Sequence, residues 1–310
     1  MFENFGRIIQ KHEEIRINHA PPCTGLAHLL LRHLLHLLGR IVGLGVYLFS
    51  KQDRSQLGRN FALALNRPAG DPRVKRAVRR LFRHYANYLI DFFLFPQLSK
   101  AKVRTYFSTI QGESHLRSAL ASGKGALLIS AHVGNWEIGG NLLRSLDYPL
   151  TVVGLPHNTA QTNALVFHLR NLRGIEIIEV GDSDFSVLQI LNALRRNRIV
   201  AMIGDQDHLG TGRPTRFLGK QLRLPTGPVI LAMISGAALL PTFVLEQTDG
   251  NYHGIIEPPL PIDRAGERAR AIDRNLHRLA RVFETYIRQY PEQWYCPEPL
   301  MDDLAAPVSC

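Results

Sequence analysis

The sequence predicts an α/β fold with a mainly parallel central sheet flanked by helices, and a helical N-terminal region ahead of it. Three observations carry that reading. From about Ser108 onward, short apolar runs alternate with segments of helical pattern, as strand–helix–strand units do. The first hundred residues lack this alternation and hold long stretches that mix apolar and basic residues. The chain has 310 residues, 45% hydrophobic and 20% charged, enough to bury a sizeable core and unlike a disordered or collagenous chain. That length suits one large domain or a core plus an appendage. The expected organisation is a helical, membrane-associating region over 1–105, an α/β domain over 106–300 and a tail over 301–310.

In chain order, Met1 to His19 is polar and charged and has no compact apolar stretch of the kind a cleavable secretory signal needs. Leu26 to Phe49 is long enough to cross a bilayer but contains His28, Arg32, His33, His36 and Arg40. Its longest uncharged part, Ile41 to Ser50, falls short of the roughly 20 apolar residues of a span. On a helix with His28 at zero, Arg32 falls at about 40°, His36 at about 80°, Arg40 at about 120° and His33 at about 140°. Gly39 and Gly43 share that sector, and most of the remaining circumference is Leu, Ile, Val and Phe. A wide apolar face beside a cationic stripe suits a helix lying in the membrane interface. The plainer alternative is a core helix whose cationic stripe faces water. A metal site at His28, His33 and His36 is disfavoured, because two of the three diverge by about 140° and no carboxylate lies nearby.

A second basic stretch follows, Arg73, Lys75, Arg76, Arg79, Arg80, Arg83 and His84, and runs into the apolar YANYLIDFFLF. It fits either anionic headgroups or an ordinary solvated helix face. Overall, 37 Lys and Arg stand against 26 Asp and Glu, a formal charge of +11, which favours an anionic membrane surface, an acidic carrier protein or nucleic acid as neighbour. Nucleic acid is the weakest of these, since no zinc finger, leucine zipper or glycine-and-aromatic RNA signature occurs. Cys23, Cys296 and Cys310 are odd in number and far apart, which points away from a disulfide framework and toward a reducing compartment.

Strands are expected at Ala126 to Ser130 (ALLIS), Thr151 to Leu155, Ile175 to Val180, Ile199 to Gly204, Leu239 to Glu246 and Tyr252 to Glu257. Helices fill Asn135 to Ser145, Thr159 to Leu172, Phe185 to Arg195, Gly227 to Ser235 and Glu267 to Tyr290. In such folds ligands gather at the carboxyl ends of strands. There, after ALLIS, stands Ala131-His132-Val133-Gly134-Asn135-Trp136-Glu137. A carboxylate bonded to one imidazole nitrogen fixes the tautomer and stabilises the cation formed when the other nitrogen takes a proton. If His132 and Glu137 cooperate, the chain must turn between them, which Gly134 permits.

The segment SAHVGNWEIGG resembles the His-x4-Asp/Glu motif of the lysophospholipid acyltransferase superfamily, and more closely that of the lipid A biosynthesis acyltransferases of the lauroyl and myristoyl transferase type. GLPHN at 154–158, GDQD at 204–207, FLGKQLRLPTGPVILAMISGAALLPTF at 217–243 and YPEQW at 290–294 match in the family's order. The resemblance spans about residues 100 to 295. It implies transfer of a fatty acyl group from acyl carrier protein or acyl-CoA, with no other cofactor and no metal, to a hydroxyl of a lipid A-type glycolipid. The expected place is the cytoplasmic face of the inner membrane. His132 would be the general base and Glu137 would orient it. No GxSxG elbow occurs, which fits direct transfer. The backbone amides of Gly134 and Asn135 are oxyanion candidates.

Arg170, Arg173 and Arg216 could meet acceptor phosphates through their planar forks, or could simply be solvated. Asp205 matches the family's acid in the GDQD turn, where it would hold a loop or a basic side chain. Two departures from the family pattern, Leu155 in place of an arginine and Tyr295-Cys296-Pro297-Glu298 after the PEQW phrase, touch the acceptor side. The acceptor could therefore be another lipid, such as a phosphatidylinositol mannoside or a lysophospholipid. A non-catalytic membrane- or nucleic-acid-binding protein on the same fold is the rival from another class.

Overall fold

The computed structural model describes residues 25–156, 159–181 and 185–300, with side chains from residue 31 onward. Helices come first: α1 (Gly25–Phe49), α2 (Lys51–Leu65), α3 (Pro72–Leu94) and the short α4 (Lys100–Thr105). The start of α3 is set locally. Asp71 accepts a hydrogen bond from the Arg73 amide at 2.7 Å, and Pro72, which has no amide hydrogen to satisfy, takes the first helical position.

Helix α1 lies along α3 with its polar sector inward. Arg32 and His36 are 3% and 6% exposed, while Leu34, Leu37, Leu38, Ile41, Val42, Leu48 and Phe49 are exposed. The stripe of the sequence analysis is therefore split: Arg32 and His36 turn into the protein, and His33 and Arg40 stay outside. The alternative of a stripe facing water fails because Asp91 on α3 offers a buried carboxylate to both inward groups. Gly39 and Gly43 allow the close approach. A Cβ on Gly43 would lie 2.8 Å from the Phe82 carbonyl oxygen, and one on Gly39 would lie 2.6 Å from Ile90 Cδ1. Leu31–Phe49, 19 residues long, is apolar enough to cross a membrane by length and composition. The side chain of His28 lies outside the described residues.

The α/β layer begins with β1 (Phe107–Gln111) and α5 (Glu113–Ala121). It continues with β2 (Ala126–Ser130), α6 (Trp136–Ser145), β3 (Leu150–Gly154), α7 (Ala160–Asn171), β4 (Glu176–Glu179), α8 (Phe185–Arg195) and β5 (Ile199–Ile203). A hairpin, β6 (Arg213–Phe217) and β7 (Lys220–Leu224), precedes α9 (Gly227–Ser235), β8 (Ala238–Glu246), β9 (Tyr252–Ile256) and α10 (Arg268–Gln289). The seven-stranded sheet runs β1-β9-β8-β2-β5-β3-β4, parallel except for β8 against β9. All six expected strands are present. Strand β1 was missed because, partly exposed on both faces, it carries no apolar run. The hairpin was missed because its sequence is mostly basic and polar.

One hydrophobic cluster joins the N-terminal helices to the sheet. Leu57, Phe61, Val78 and Phe82 from α2 and α3 share it with Leu127 and Ile129 of β2, Phe243 of β8 and Phe283 of α10. Burial of large side chains at about 1.5–3 kcal/mol each makes this seam a main source of stability.

Candidate active site

Strand register brings the site together. β2 and β5 are parallel neighbours, with Ser130 opposite Ile203. His132 and Asp205 each stand two residues beyond that pair, at the carboxyl ends of the two strands. The His132 Nδ1 lies 2.7 Å from Asp205 Oδ1, which also accepts from the His132 backbone amide at 3.1 Å. Asp205 Oδ2 accepts from Trp294 Nε1 at 2.9 Å, and Asp205 is 1% exposed. Burial alone would push this carboxyl up; the attraction of His132 and the hydrogen bonds from His132 and Trp294 outweigh it and hold it below its ordinary value. An ionised carboxylate only accepts, so Nδ1 carries a proton, and the neutral form of the ring is the tautomer with its lone pair on Nε2. In that tautomer the approach of Gln206 Nε2 to Nδ1 at 3.1 Å is a contact only, while its hydrogen bond goes to the Tyr295 carbonyl at 2.9 Å.

The carboxylate that holds His132 is thus Asp205, and the expectation of Glu137 in that role is corrected. Glu137 enters α6 on its first turn and faces α7. There Arg170 donates to it through Nε at 3.3 Å and Nη2 at 2.5 Å. Burial alone would lower the Arg170 guanidinium; the charge and hydrogen bonds of Glu137 outweigh it and hold it above its ordinary value, so Arg170 stays charged. Both partners are largely buried, which removes Arg170 from the set of free phosphate-binding groups.

The turn between His132 and Glu137 requires its glycine. Gly134 has φ +76°, and a Cβ there would sit 1.9 Å from the Val244 carbonyl oxygen. That proximity also corrects the oxyanion assignment. The Gly134 amide donates to the Gln293 carbonyl at 2.9 Å and the Asn135 amide to the Val244 carbonyl at 2.8 Å, so neither is available to a substrate oxygen. Asn135 instead caps α6, its side-chain oxygen accepting from the Ile138 amide at 3.3 Å.

The other expected residues separate. Arg173 is committed to the fold, donating to Asn141 Oδ1 at 3.1 Å and to the carbonyls of Phe95 and Leu98, and is not a free substrate ligand. Arg216 stands exposed on β6. Asp207, without a role in the sequence reading, closes its own loop by accepting from the Gly212 amide at 2.7 Å. Two residues of the GLPHN phrase, 157 and 158, lie outside the described residues.

An aromatic cleft opens beside this centre. The His132 ring meets Trp136 edge-on at 5.2 Å, Trp136 meets Tyr88 at 4.8 Å, and Tyr85 stacks on Tyr88 and Tyr295. Tyr85, Tyr88, Trp136 and Tyr295 line a cavity with His84 and Glu246, themselves paired at 2.5 Å. Burial, and after it the charge of Glu137, pushes the Tyr88 hydroxyl well up. No cluster of metal-ligating groups occurs among the described residues. Sequence reasoning missed the His132–Asp205 contact and the Trp294 brace. Both sit in matched phrases, GDQD and YPEQW, and the adjacency of β2 and β5 was the signal that would have joined them.

Among known proteins, this chain is similar to several lipid acyltransferases. The phosphatidylinositol mannoside acyltransferase of Mycobacterium tuberculosis (strain ATCC 25618 / H37Rv) is 29% identical over 79% of this chain and 76% of its own length. That of Mycolicibacterium smegmatis is 28% identical over 79% and 78%. The lipid A biosynthesis palmitoleoyltransferase of Escherichia coli (strain K12) is 23% identical over 83% and 81%. Residues 24–296, nearly the whole described chain, match the family described as bacterial lipid A biosynthesis acyltransferase, and with its sheet, its His132 turn and its acyltransferase relatives the chain belongs to that family of lipid acyltransferases.

Proposed function

We propose that the protein transfers a fatty acyl chain from a thioester, acyl carrier protein or acyl-CoA, to a hydroxyl of a lipid A-type (phospho)glycolipid, with His132 as general base held by Asp205. The single observation that carries this reading is the imidazole at the paired strand ends, its Nδ1 bound to a buried carboxylate and its Nε2 without a protein partner among the described residues. The acceptor hydroxyl gives its proton to Nε2 as its oxygen bonds to the thioester carbonyl carbon. Collapse of the tetrahedral adduct breaks the C–S bond, and the leaving sulfur takes the proton from the imidazolium. The products are an ester and a free thiol, with His132 restored. Asp205 favours this path by stabilising the transient imidazolium. Glu137 and Arg170 together hold the first turn of α6 against α7. Of the arginines expected at acceptor phosphates, Arg216 keeps an exposed guanidinium for that role.

A phosphatidylinositol mannoside is the second acceptor reading, favoured by the higher identity to the mycobacterial enzymes than to the Escherichia coli one. The site is reached from an anionic membrane surface at the cytoplasmic face of the inner membrane. The exposed apolar side of α1 supports that placement, together with the exposed Arg73, Arg76, Arg79, Arg80 and Arg83 of α3.

The test uses the full chain in detergent micelles with labelled acyl-ACP or acyl-CoA and a panel of lipid A precursor, phosphatidylinositol mannoside and lysophospholipid. Acylated product is expected with one of the first two acceptors, and turnover should fall by about 10²–10⁴ in His132→Ala. Equal turnover in wild type and His132→Ala would remove the proposed chemistry. Product from lysophospholipid alone would reassign the acceptor.

A further inference from the structure

Asp91, wholly buried on α3, collects donors from three directions. Arg32 of α1 donates through Nε at 2.9 Å and Nη2 at 2.6 Å, His36 of α1 through Nε2 at 2.9 Å, and the Tyr252 hydroxyl of β9 at 2.5 Å. The Arg32 guanidinium is fixed further by the Gly250 carbonyl at 2.9 Å and by the Tyr106 ring, 4.6 Å away. Burial would push the Asp91 carboxyl up, and the Arg32 and His36 hydrogen bonds outweigh it, so Asp91 is held ionised. Beyond Tyr252 the chain of contacts continues to the active-site turn. Asn135 Nδ2 donates to the Tyr252 oxygen at 3.3 Å, and Asn135 is the cap of α6 between His132 and Glu137.

The donor sense of this chain is forced at each step. Ionised Asp91 can only accept, so the single proton of Tyr252 is committed to it. The Tyr252 oxygen then has only lone pairs left to offer, and it selects the NH2 end of the Asn135 amide. With that end fixed, the Asn135 oxygen turns to the Ile138 amide and caps the helix. A hydrophobic contact carries no such polarity; a charge at the head of the chain does.

We propose that α1 acts on the reaction and is more than an anchor: Arg32 and His36 hold Asp91 as the head of a polarised chain, Asp91–Tyr252–Asn135, that sets the turn carrying His132 and Glu137. Arg32, Asp91 and Tyr252 are thereby positioning residues. The inference rests on the His132 reading above.

The experiment measures kcat and KM in detergent micelles, where membrane binding does not limit the rate, for His132→Ala, Tyr252→Phe, Arg32→Met, Arg32→Lys and the double variant Arg32→Met/Tyr252→Phe. Tyr252→Phe keeps the ring and removes only the link. Its kcat is expected to fall about tenfold, the worth of one buried hydrogen bond to a charged group, with KM for the acyl donor and binding to vesicles unchanged. Arg32→Met should lose a similar factor and Arg32→Lys recover most of it. The double variant should lose no more than Tyr252→Phe alone, because the link is already cut. Wild-type kcat in Tyr252→Phe, or losses that multiply in the double variant, would overturn the proposal. Should Arg32→Met not fold, Tyr252→Phe still decides. Activity surviving in His132→Ala means the site reading has failed; an inactive His132→Ala beside a fully active Tyr252→Phe means that this inference alone has.

Discussion

At the scale of single residues, two carboxylates that look interchangeable in the sequence have different tasks. Asp205 meets the imidazole, so Asp205→Asn is expected to lower kcat by about 10²-fold or more, since an amide can donate to Nδ1 and impose the wrong tautomer. Steady-state kinetics on the folded variant checks this, and a loss under threefold would contradict it. Glu137 meets Arg170, and Glu137→Gln leaves a largely buried guanidinium without its counter-charge, at a cost of roughly 3 kcal/mol. Chemical denaturation should show that loss, and Glu137→Gln/Arg170→Met should recover most of it; an unchanged denaturation midpoint in the single variant would refute the assignment. The sequence located His132 and both acids. It could not say which acid reaches the ring, because closeness along the chain favours Glu137 and strand adjacency favours Asp205. That adjacency joins residues 73 positions apart.

At the scale of elements, legibility followed pattern strength. Six strands with continuous apolar runs were readable at nearly their true bounds, whereas β1 and the β6–β7 hairpin, with mixed burial, were not. Helix α1 was readable as amphipathic, yet its orientation depended on a partner, Asp91, 55 residues or more away. With Arg32 and His36 inward, its outer face is largely apolar, interrupted by His33 and Arg40. Leu37→Glu with Ile41→Glu should therefore sharply reduce sedimentation with phosphatidylglycerol-containing vesicles while leaving the inward Arg32 and His36 contacts in place. The exposed cations of α3 add a separate, salt-sensitive part. Arg76→Gln with Arg80→Gln should cost about 1 kcal/mol per residue near the surface, roughly tenfold or more in vesicle affinity, and the difference from wild type should shrink as salt is raised. Vesicle binding indifferent to both double variants would show that this face is not the membrane side.

At the scale of the whole molecule, two buried carboxylates, Asp91 and Asp205, and the partly buried Glu246 lie where the N-terminal helices and the turn meet the sheet. Asp91 joins α1, α3 and β9; Glu246 joins β8 to His84 and Asn87 of α3; Asp205 joins β5 to the His132 turn and Trp294. Burial would push each up, and the hydrogen bonds and opposing charges against it hold each below its ordinary value. A carboxyl with a depressed folded pKa binds fewer protons folded than unfolded. Its contribution is therefore fully present above the unfolded value, about 4, and is lost as pH falls through the folded one. These groups predict little change in their share of stability between pH 7 and 5 and a progressive loss below about 4. Since Trp294 donates to Asp205 and packs on Phe61 of α2, its environment reports on the seam and the site together. Urea midpoints followed by tryptophan emission from pH 7 to pH 3 should fall on the acid side, with turnover lost irreversibly or reversibly over the same range. A midpoint that holds or rises below pH 4 would mean that the three carboxylates do not tie the helices and the turn to the sheet. The shared cluster of Leu57, Phe61, Phe82, Leu127 and Phe283 would then carry the seam by itself.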